Sequence, residues 1–389
     1  MGIDDMIKRE DFYKILQETI IDYYFKVRHL KVRCSYEPFD GGEELRMFYF
    51  GSMVCRARKP KGARGYLNAE LNIRNSLWKY IAGKMMVHYL MMTKTKYSPG
   101  IVFLTEGILG KNEIISPQNR SIRFYNFGTS TVDCIIKKGF TDKYFNNQIE
   151  FRKKYNYNFM VPMIDSGDGW FREPILIGHP LARVTGKRKY QKGIDTTVKD
   201  IQLLANDTLE YIHIQKYIPE LIVKAKKLTE QAKQEKNITT YSKSMELLDF
   251  IEKGLSNISI EIPTCVSHGD LQTGNIWMNR DGKILIYDWE TAGRRSVWYD
   301  SVTLLYSLRR IYGWKQFMTD EKPTLALTCD PNKNRTQEEY EIIKLVVLLE
   351  DYLFLIEDMM ELPEDWGSRI FDGNINRIHQ VVFKEENAE

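Results

Sequence analysis

Near residue 195 the chain changes its hydrophobic period, and that change bounds the folds open to it. Residues 113–182 carry short β-rich runs at 113–115, 122–127, 132–136 and 170–177. One helical run, 141–155, lies among them, with Thr141 or Asp142 as its N-cap. Beyond 195 the pattern is helical, at 196–212, 215–235, 242–255, 299–312 and 336–360, broken by a strand-and-loop island at 264–292. A small β-rich lobe followed by a large helical lobe is an α+β arrangement. Upstream, residues 7–30 repeat at helical spacing and 31–58 read as strand pieces around the turn Asp40-Gly41-Gly42. Residues 56–65 form a basic loop, and 67–92 read as a helix closed off by Pro99 and Gly100.

A length of 389 residues predicts two or three domains at about 150 residues each. A core of that size needs no disulfide or metal staple. The five cysteines are dispersed without a C-x-x-C pair, which reads as reduced, buried thiols of a cytoplasmic protein. The six histidines are equally scattered and offer no zinc site. With 56 basic against 52 acidic side chains, neither nucleic acid nor an anionic membrane is expected as the main partner. Residues 1–6 are acidic where an export signal would be basic, and Met6 stands where myristoylation needs Ser or Thr. The apolar stretch 345–356 is broken by Glu350 and Asp351, so no membrane span is expected.

The island holds the chemistry. It contains His268-x-Asp270-x-x-x-x-Asn275, then the turn Asp281-Gly282, then the apolar strand Lys283-Ile284-Leu285-Ile286 ending in Tyr287-Asp288-Trp289-Glu290. Val266, Ile276 and Ile284–Ile286 anchor the pieces, so Asp270, Asn275 and Asp288 stand at rigid ends. Two carboxylates and an amide at this spacing suit magnesium, which prefers a few oxygen ligands and leaves other positions to water and phosphate. One carboxylate can instead accept a hydroxyl proton, as phosphoryl transfer requires.

This pattern resembles the catalytic and metal motifs of the aminoglycoside phosphotransferase and choline kinase-like superfamily, with Asp288-Trp289-Glu290 where protein kinases carry D-F-G. The resemblance implies a bilobal, protein-kinase-like fold. Residues 1–112 would be an N-terminal extension of unknown role, 113–180 the small lobe with its hinge, and 181–389 the helical lobe with the catalytic loop. It implies ATP and Mg2+ as cofactors and Asp270 as the proton acceptor. His268 would be a structural hydrogen-bonder of the catalytic loop, with proton acceptance as its rival role. Asn275 and Asp288 would be the metal ligands. Asp300, in Trp298-Tyr299-Asp300, resembles the aspartate that steadies the catalytic loop from behind; the simpler reading is a helix N-cap.

The same resemblance predicts a lysine on a strand and a helical glutamate to hold it. Lys137, at the end of Val132-Asp133-Cys134-Ile135-Ile136, and Glu150, on the following helix, fit those parts; Lys138 is the alternative lysine. Strand alternation puts Ile135 on the face of Lys137, where it could roof an adenine. The hinge would offer backbone groups of Pro174, Ile175 and Leu176. Pro174 gives only a carbonyl, so Leu176 is the better amide donor. The phosphate loop would fall at 116–121 but has no glycine, leaving Asn119, Arg120 and Ser121 as contacts.

One acidic stretch stands apart from these motifs. Glu350, Asp351, Glu357, Asp358, Glu361, Glu364 and Asp365 lie together without a lysine or arginine. They read as a solvated helix face or as a wall for a cationic acceptor. The expected function is a cytoplasmic kinase moving the γ-phosphoryl of MgATP to a hydroxyl of a sugar, amino alcohol or aminoglycoside-like molecule. A catalytically idle nucleotide-binding module and a protein Ser/Thr kinase are the alternatives.

Overall fold

The computed structural model describes residues 6–8, 10–48, 53–56, 77–92, 100–310, 312–325, 335–362 and 364–384. The chain divides into two compact units, 1–193 with 276–290, and 194–275 with 291–389.

The first unit begins with helix α1 (Phe12–Arg28), strands β1 (Cys34–Ser35), β2 (Gly42–Phe48) and β3 (Met53–Arg56), helix α2 (Leu77–Met92) and strand β4 (Gly100–Thr105). Then come β5 (Glu113–Pro117), β6 (Ser121–Asn126), β7 (Thr131–Ile136), helix α3 (Lys143–Lys154), β8 (Asp165–Gly167), β9 (Trp170–Pro174) and β10 (Gly178–Pro180). The expected order of three strands, a helix and further strands is present from 113 onward. Among the described residues, β1 to β9 make one antiparallel sheet in the order β1-β4-β2-β3-β5-β6-β7-β9-β8. Strands β1 to β4, within 1–112, therefore share a sheet with the strands from 113 onward, joined at Val54↔Ile115. Strand β4, an apolar run that periodicity did not single out, pairs along β2. Of the helix expected at 67–92, residues 67–76 lie outside the described residues, as does most of the basic loop.

Strand alternation divides this sheet into two faces. Ile122, Phe124 and Ile135 are buried against Phe12, Leu16, Ile20, Tyr23 and Tyr24 of α1, whose apolar stripe repeats at helical spacing. Tyr23 stacks on Phe124 at 3.5 Å, and its hydroxyl donates to the buried Asp133 at 2.9 Å. The opposite face carries Val132, Cys134 and Phe171, packed on Phe145 and Ile149 of α3.

The remaining elements are α4 (Lys187–Asp207), β11 (Glu210–His213), α5 (Ile214–Glu235), α6 (Tyr241–Leu255) and β12 (Glu261–Ser267). The hairpin β13 (Ile276–Asn279) and β14 (Ile284–Ile286) counts with the first unit and pairs through β13 with β10. Thereafter come β15 (Gly293–Ser296), α7 (Tyr299–Leu305), α8 (Gly313–Thr319), α9 (Gln337–Met360) and α10 (Glu364–Val382). In the second unit β11, β12 and β15 form a small sheet, and α5, α6, α9 and α10 share its apolar core. Thr336 and Glu339 close a reciprocal capping box at the start of α9. The helix expected at 299–312 stops at 305, because Ser307 turns into the left-handed region at φ 53 and Arg310 closes a turn on its carbonyl. The helix expected at 196–212 ends at 207, where the chain becomes a strand paired with β12. Cys34, Cys134 and Cys265 are buried free thiols. No helix among the described residues is long and apolar enough to cross a membrane.

Candidate active site

The second unit holds His268, Asp270 and Asn275; the first holds Ser121, Lys137, Glu150, Pro174, Ile175, Leu176 and Asp288. In the second unit the loop that carries His268, Asp270 and Asn275 leaves the buried strand β12 at Ser267. Asp300, itself buried, accepts from Ser267 Oγ at 2.8 Å, His268 N at 2.6 Å and Gly269 N at 3.1 Å. It thus binds the loop's backbone, while the N-cap position of α7 is Trp298. Gly269 adopts φ 85, and a Cβ there would meet the Thr291 carbonyl oxygen at 2.4 Å, so only glycine fits this turn. His268 is fully buried, and its Nδ1 accepts from the Asp270 amide at 3.3 Å. That places it inside the loop's own hydrogen-bonding.

Asp270 is held on both oxygens. Oδ1 accepts from Arg309 Nε at 2.9 Å, and Oδ2 accepts from Gln272 Nε2 at 2.8 Å and Asn275 Nδ2 at 3.2 Å. Asn275 Nδ2 also donates to the Asp270 carbonyl at 2.9 Å. With its nitrogen committed, Asn275 has Oδ1 left for a metal. Arg309 went unread in the sequence. Its guanidinium also pairs with Asp351, donates to the Tyr299 hydroxyl at 3.1 Å and lies 4.0 Å over the Phe354 ring. Tyr299 in turn donates to Asp351 at 2.8 Å. Arg309 thereby ties the Asp270 carboxylate to helix α9.

Two members of the acidic stretch are corrected by the same contacts. Glu350 and Asp351 are buried rather than solvated or facing an acceptor. Glu350 accepts from Tyr217 Oη and Ser296 Oγ at 2.6 and 2.7 Å. Burial raises its pKa above the ordinary carboxylate value against those bonds. Glu357 pairs with Lys224. The side chains of Glu364 and Asp365 lie outside the described residues.

In the first unit the expected Lys137–Glu150 pair does not form. Lys137 Nζ is buried 2.5 Å from Oε1 of Glu10, with Met6 Sδ at 3.9 Å. Glu150 is exposed and pairs with Lys153 at 3.1 Å. The physical reason is the face. Ile135 and Lys137 do share a side of the strand, but it is the side α1 covers, so Ile135 lies in that core rather than above a nucleotide. Lys138 also turns to α1, pairing with Asp22 at 3.0 Å. The buried residues of α3 are Tyr144, Phe145, Gln148, Ile149, Phe151 and Arg152, of which Phe145 and Ile149 pack on the sheet. Arg152 pairs with Glu173 at 2.9 Å.

Ser121 opens β6 after a turn in which the Gln118 amide donates to its carbonyl at 2.8 Å. Arg120, in that turn, pairs with Glu290 Oε1 at 3.1 Å, and Asn147 of α3 donates to the Glu290 carbonyl at 2.9 Å. Asp288 follows β14 in the left-handed region at φ 69, a conformation that a non-glycine residue holds only under local constraint. The constraint is Trp289, fully buried, stacked on Phe151 at 4.9 Å and donating through Nε1 to the Ile286 carbonyl at 3.1 Å. At the hinge the Ile175 amide donates to Ser130 O at 2.9 Å, whereas the Leu176 amide donates to no protein group among the described residues. Pro174, Ile175 and Leu176 line a cleft of about 390 Å³ with Met160 and Leu285.

Residues 213–322 match the model of the phosphotransferase enzyme family. No curated protein matches the chain by sequence. Among solved structures, a choline/ethanolamine kinase family protein from Mesorhizobium loti is similar at 13% identity and TM-score 0.48, covering 73% of this chain and 91% of that one. An ethanolamine kinase from Plasmodium vivax is similar at 12% identity and TM-score 0.45, covering 80% and 90%. Over residues 213–322, the segment that carries its motifs, the chain is similar to the phosphotransferase enzyme family.

Proposed function

We propose that the chain moves the γ-phosphoryl group of MgATP to a hydroxyl of a small molecule: a sugar, an amino alcohol or an aminoglycoside-like compound. The observation that carries this reading is the carboxylate of Asp270, clamped by Arg309, Gln272 and Asn275 on a loop that Asp300 fixes, within the family-matched segment. A carboxylate so oriented accepts the proton of an attacking hydroxyl. Asn275 Oδ1 in the second unit and the Asp288 carboxylate in the first are each hard oxygen donors of the kind magnesium prefers. When bound, MgATP supplies the phosphoryl group and offsets the charge on the phosphates. Leu176 offers the base an amide donor, and Asn275 holds Asp270 while keeping its own oxygen for the metal. A cytoplasmic location, and no nucleic-acid partner, belong to the same reading.

One observation favours a second reading, a nucleotide-binding module without turnover: the lysine expected at the phosphates is engaged by Glu10. The test is ADP release from ATP across a panel of amino alcohols, aminoglycosides and sugars, with a protein acceptor included. Stimulation by a small hydroxyl compound supports the kinase. Nucleotide binding with no turnover on any acceptor supports the module. Turnover on the protein acceptor alone makes it a protein kinase.

A further inference from the structure

Arg123 stands in the middle of β6, and alternation turns it away from α1, since Ile122 and Phe124 on either side are buried in that core. Its cross-strand neighbours are Ser116 of β5 and Cys134 of β7, and Cys134 pairs onward with Phe171 of β9. Cys134 and Phe171 pack on Phe145 and Ile149 of α3. Arg123 therefore lies on the α3 face of the sheet, opposite Cys134 and away from the face that Lys137 takes.

The guanidinium has charge around it but no partner. Its Nε is buried without an acceptor, and among the described residues no hydrogen bond or ion pair engages it. The groups it interacts with electrostatically are Cys134, Tyr125, Glu173 and Asp288. Burial opposes its charge, and the carboxylates of Glu173 and Asp288 favour it. Glu173 is already bound by Arg152 at 2.9 Å. The Cys134 thiol is kept neutral by burial. Asp288 is the carboxylate assigned to the metal. A guanidinium offers five N–H donors in a planar fork, and a buried donor without an acceptor costs free energy. The ligand chemistry that satisfies such a fork, within electrostatic reach of the carboxylate proposed for the metal, is a phosphate oxygen pair.

We infer that Arg123 binds the phosphates of the nucleotide, the task the sequence pointed to Lys137 for, and that Lys137 has no part in it. This rests on the proposed nucleotide-dependent function and names a binding residue within it. The test is calorimetry on the full chain with MgADP, MgATP and adenosine, comparing wild type with Arg123→Met, Arg123→Gln and the paired Lys137→Met/Glu10→Gln variant. The expected result is a loss of tenfold or more in MgADP and MgATP affinity for both Arg123 variants, with adenosine affinity unchanged. The paired variant should bind all three as wild type does. MgADP affinity unchanged in the Arg123 variants, or an equal loss for adenosine, overturns the inference while leaving the nucleotide function standing. Wild type that binds none of the three overturns both. If circular dichroism shows that neither Arg123 variant folds, the arginine serves stability and the inference is overturned.

Discussion

Lys137 Nζ lies 2.5 Å from Oε1 of Glu10, and both side chains are almost wholly buried. The lysine that the family resemblance nominates for phosphates is one half of a buried ion pair that joins Glu10 to the residue after β7. Removing one partner of a buried pair leaves an uncompensated charge, which costs about 3–5 kcal/mol. Lys137→Met and Glu10→Gln should each destabilise the protein by about that much, and the double variant by clearly less than their sum. Urea unfolding of the four proteins in a double-mutant cycle reads the coupling. Additive losses would show that the pair contributes nothing.

Asp270→Asn should leave the unfolding midpoint near wild type and lower turnover by at least about 10²-fold, since the amide cannot take the acceptor's proton. Nucleotide affinity by calorimetry should hold. Turnover within a few-fold of wild type would remove Asp270 from the proton-accepting role.

Arg309 is a positioning residue, joined to Asp270, Asp351 and Tyr299 at once. An ammonium has no planar fork to span all three. Arg309→Lys should therefore keep most of the stability, by holding a cation beside the buried Asp351, yet lower kcat tenfold or more with the KM for ATP unchanged. Arg309→Met should lose both stability and kcat. A lysine variant with wild-type kcat would make Arg309 purely structural.

What the sequence made legible divides along the range of the interactions. Three of the site's parts are local: the apolar strand ending in Asp288, the His268–Asn275 spacing, and strands β6 and β7. Periodicity and motif suffice for these. Alternation also put Ile135 and Lys137 on one side of β7, as found. It could not say which side faces the nucleotide, because that depends on α1, more than a hundred residues earlier. Arg309 and Asp351 lie 42 residues apart and meet only through packing, so no local spacing announces them. For the same reason Glu350 and Asp351 read as part of a charged surface when they are interior acceptors.

Asn275→Ala and Asp288→Ala should both raise the magnesium concentration needed for half-maximal turnover. The asparagine variant keeps the Asp288 carboxylate and should recover in part at high magnesium or with manganese; the aspartate variant should not. Metal titrations of steady-state rate measure this. An Asp288→Ala enzyme with wild-type metal dependence would place the metal elsewhere.

Glu350 gives the last expectation, in pH. Burial, its largest influence, raises its folded-state pKa above the ordinary 4.5, and the bonds from Tyr217 and Ser296 lower it only in part. A carboxylate with a raised folded pKa binds its proton more tightly in the folded protein than in the unfolded chain. Its stabilising contribution is therefore full below about pH 4.5 and fades as pH rises through the folded pKa. Glu350→Gln has no proton to lose. Relative to wild type, the glutamine variant should thus gain stability as pH is raised from about 4.5 to neutrality, whatever its offset at acid pH. Urea midpoints for both proteins across that window give the difference directly. A difference that stays flat would mean that Glu350 titrates alike in folded and unfolded states, with its three hydrogen bonds from Tyr217 and Ser296 fully offsetting its burial.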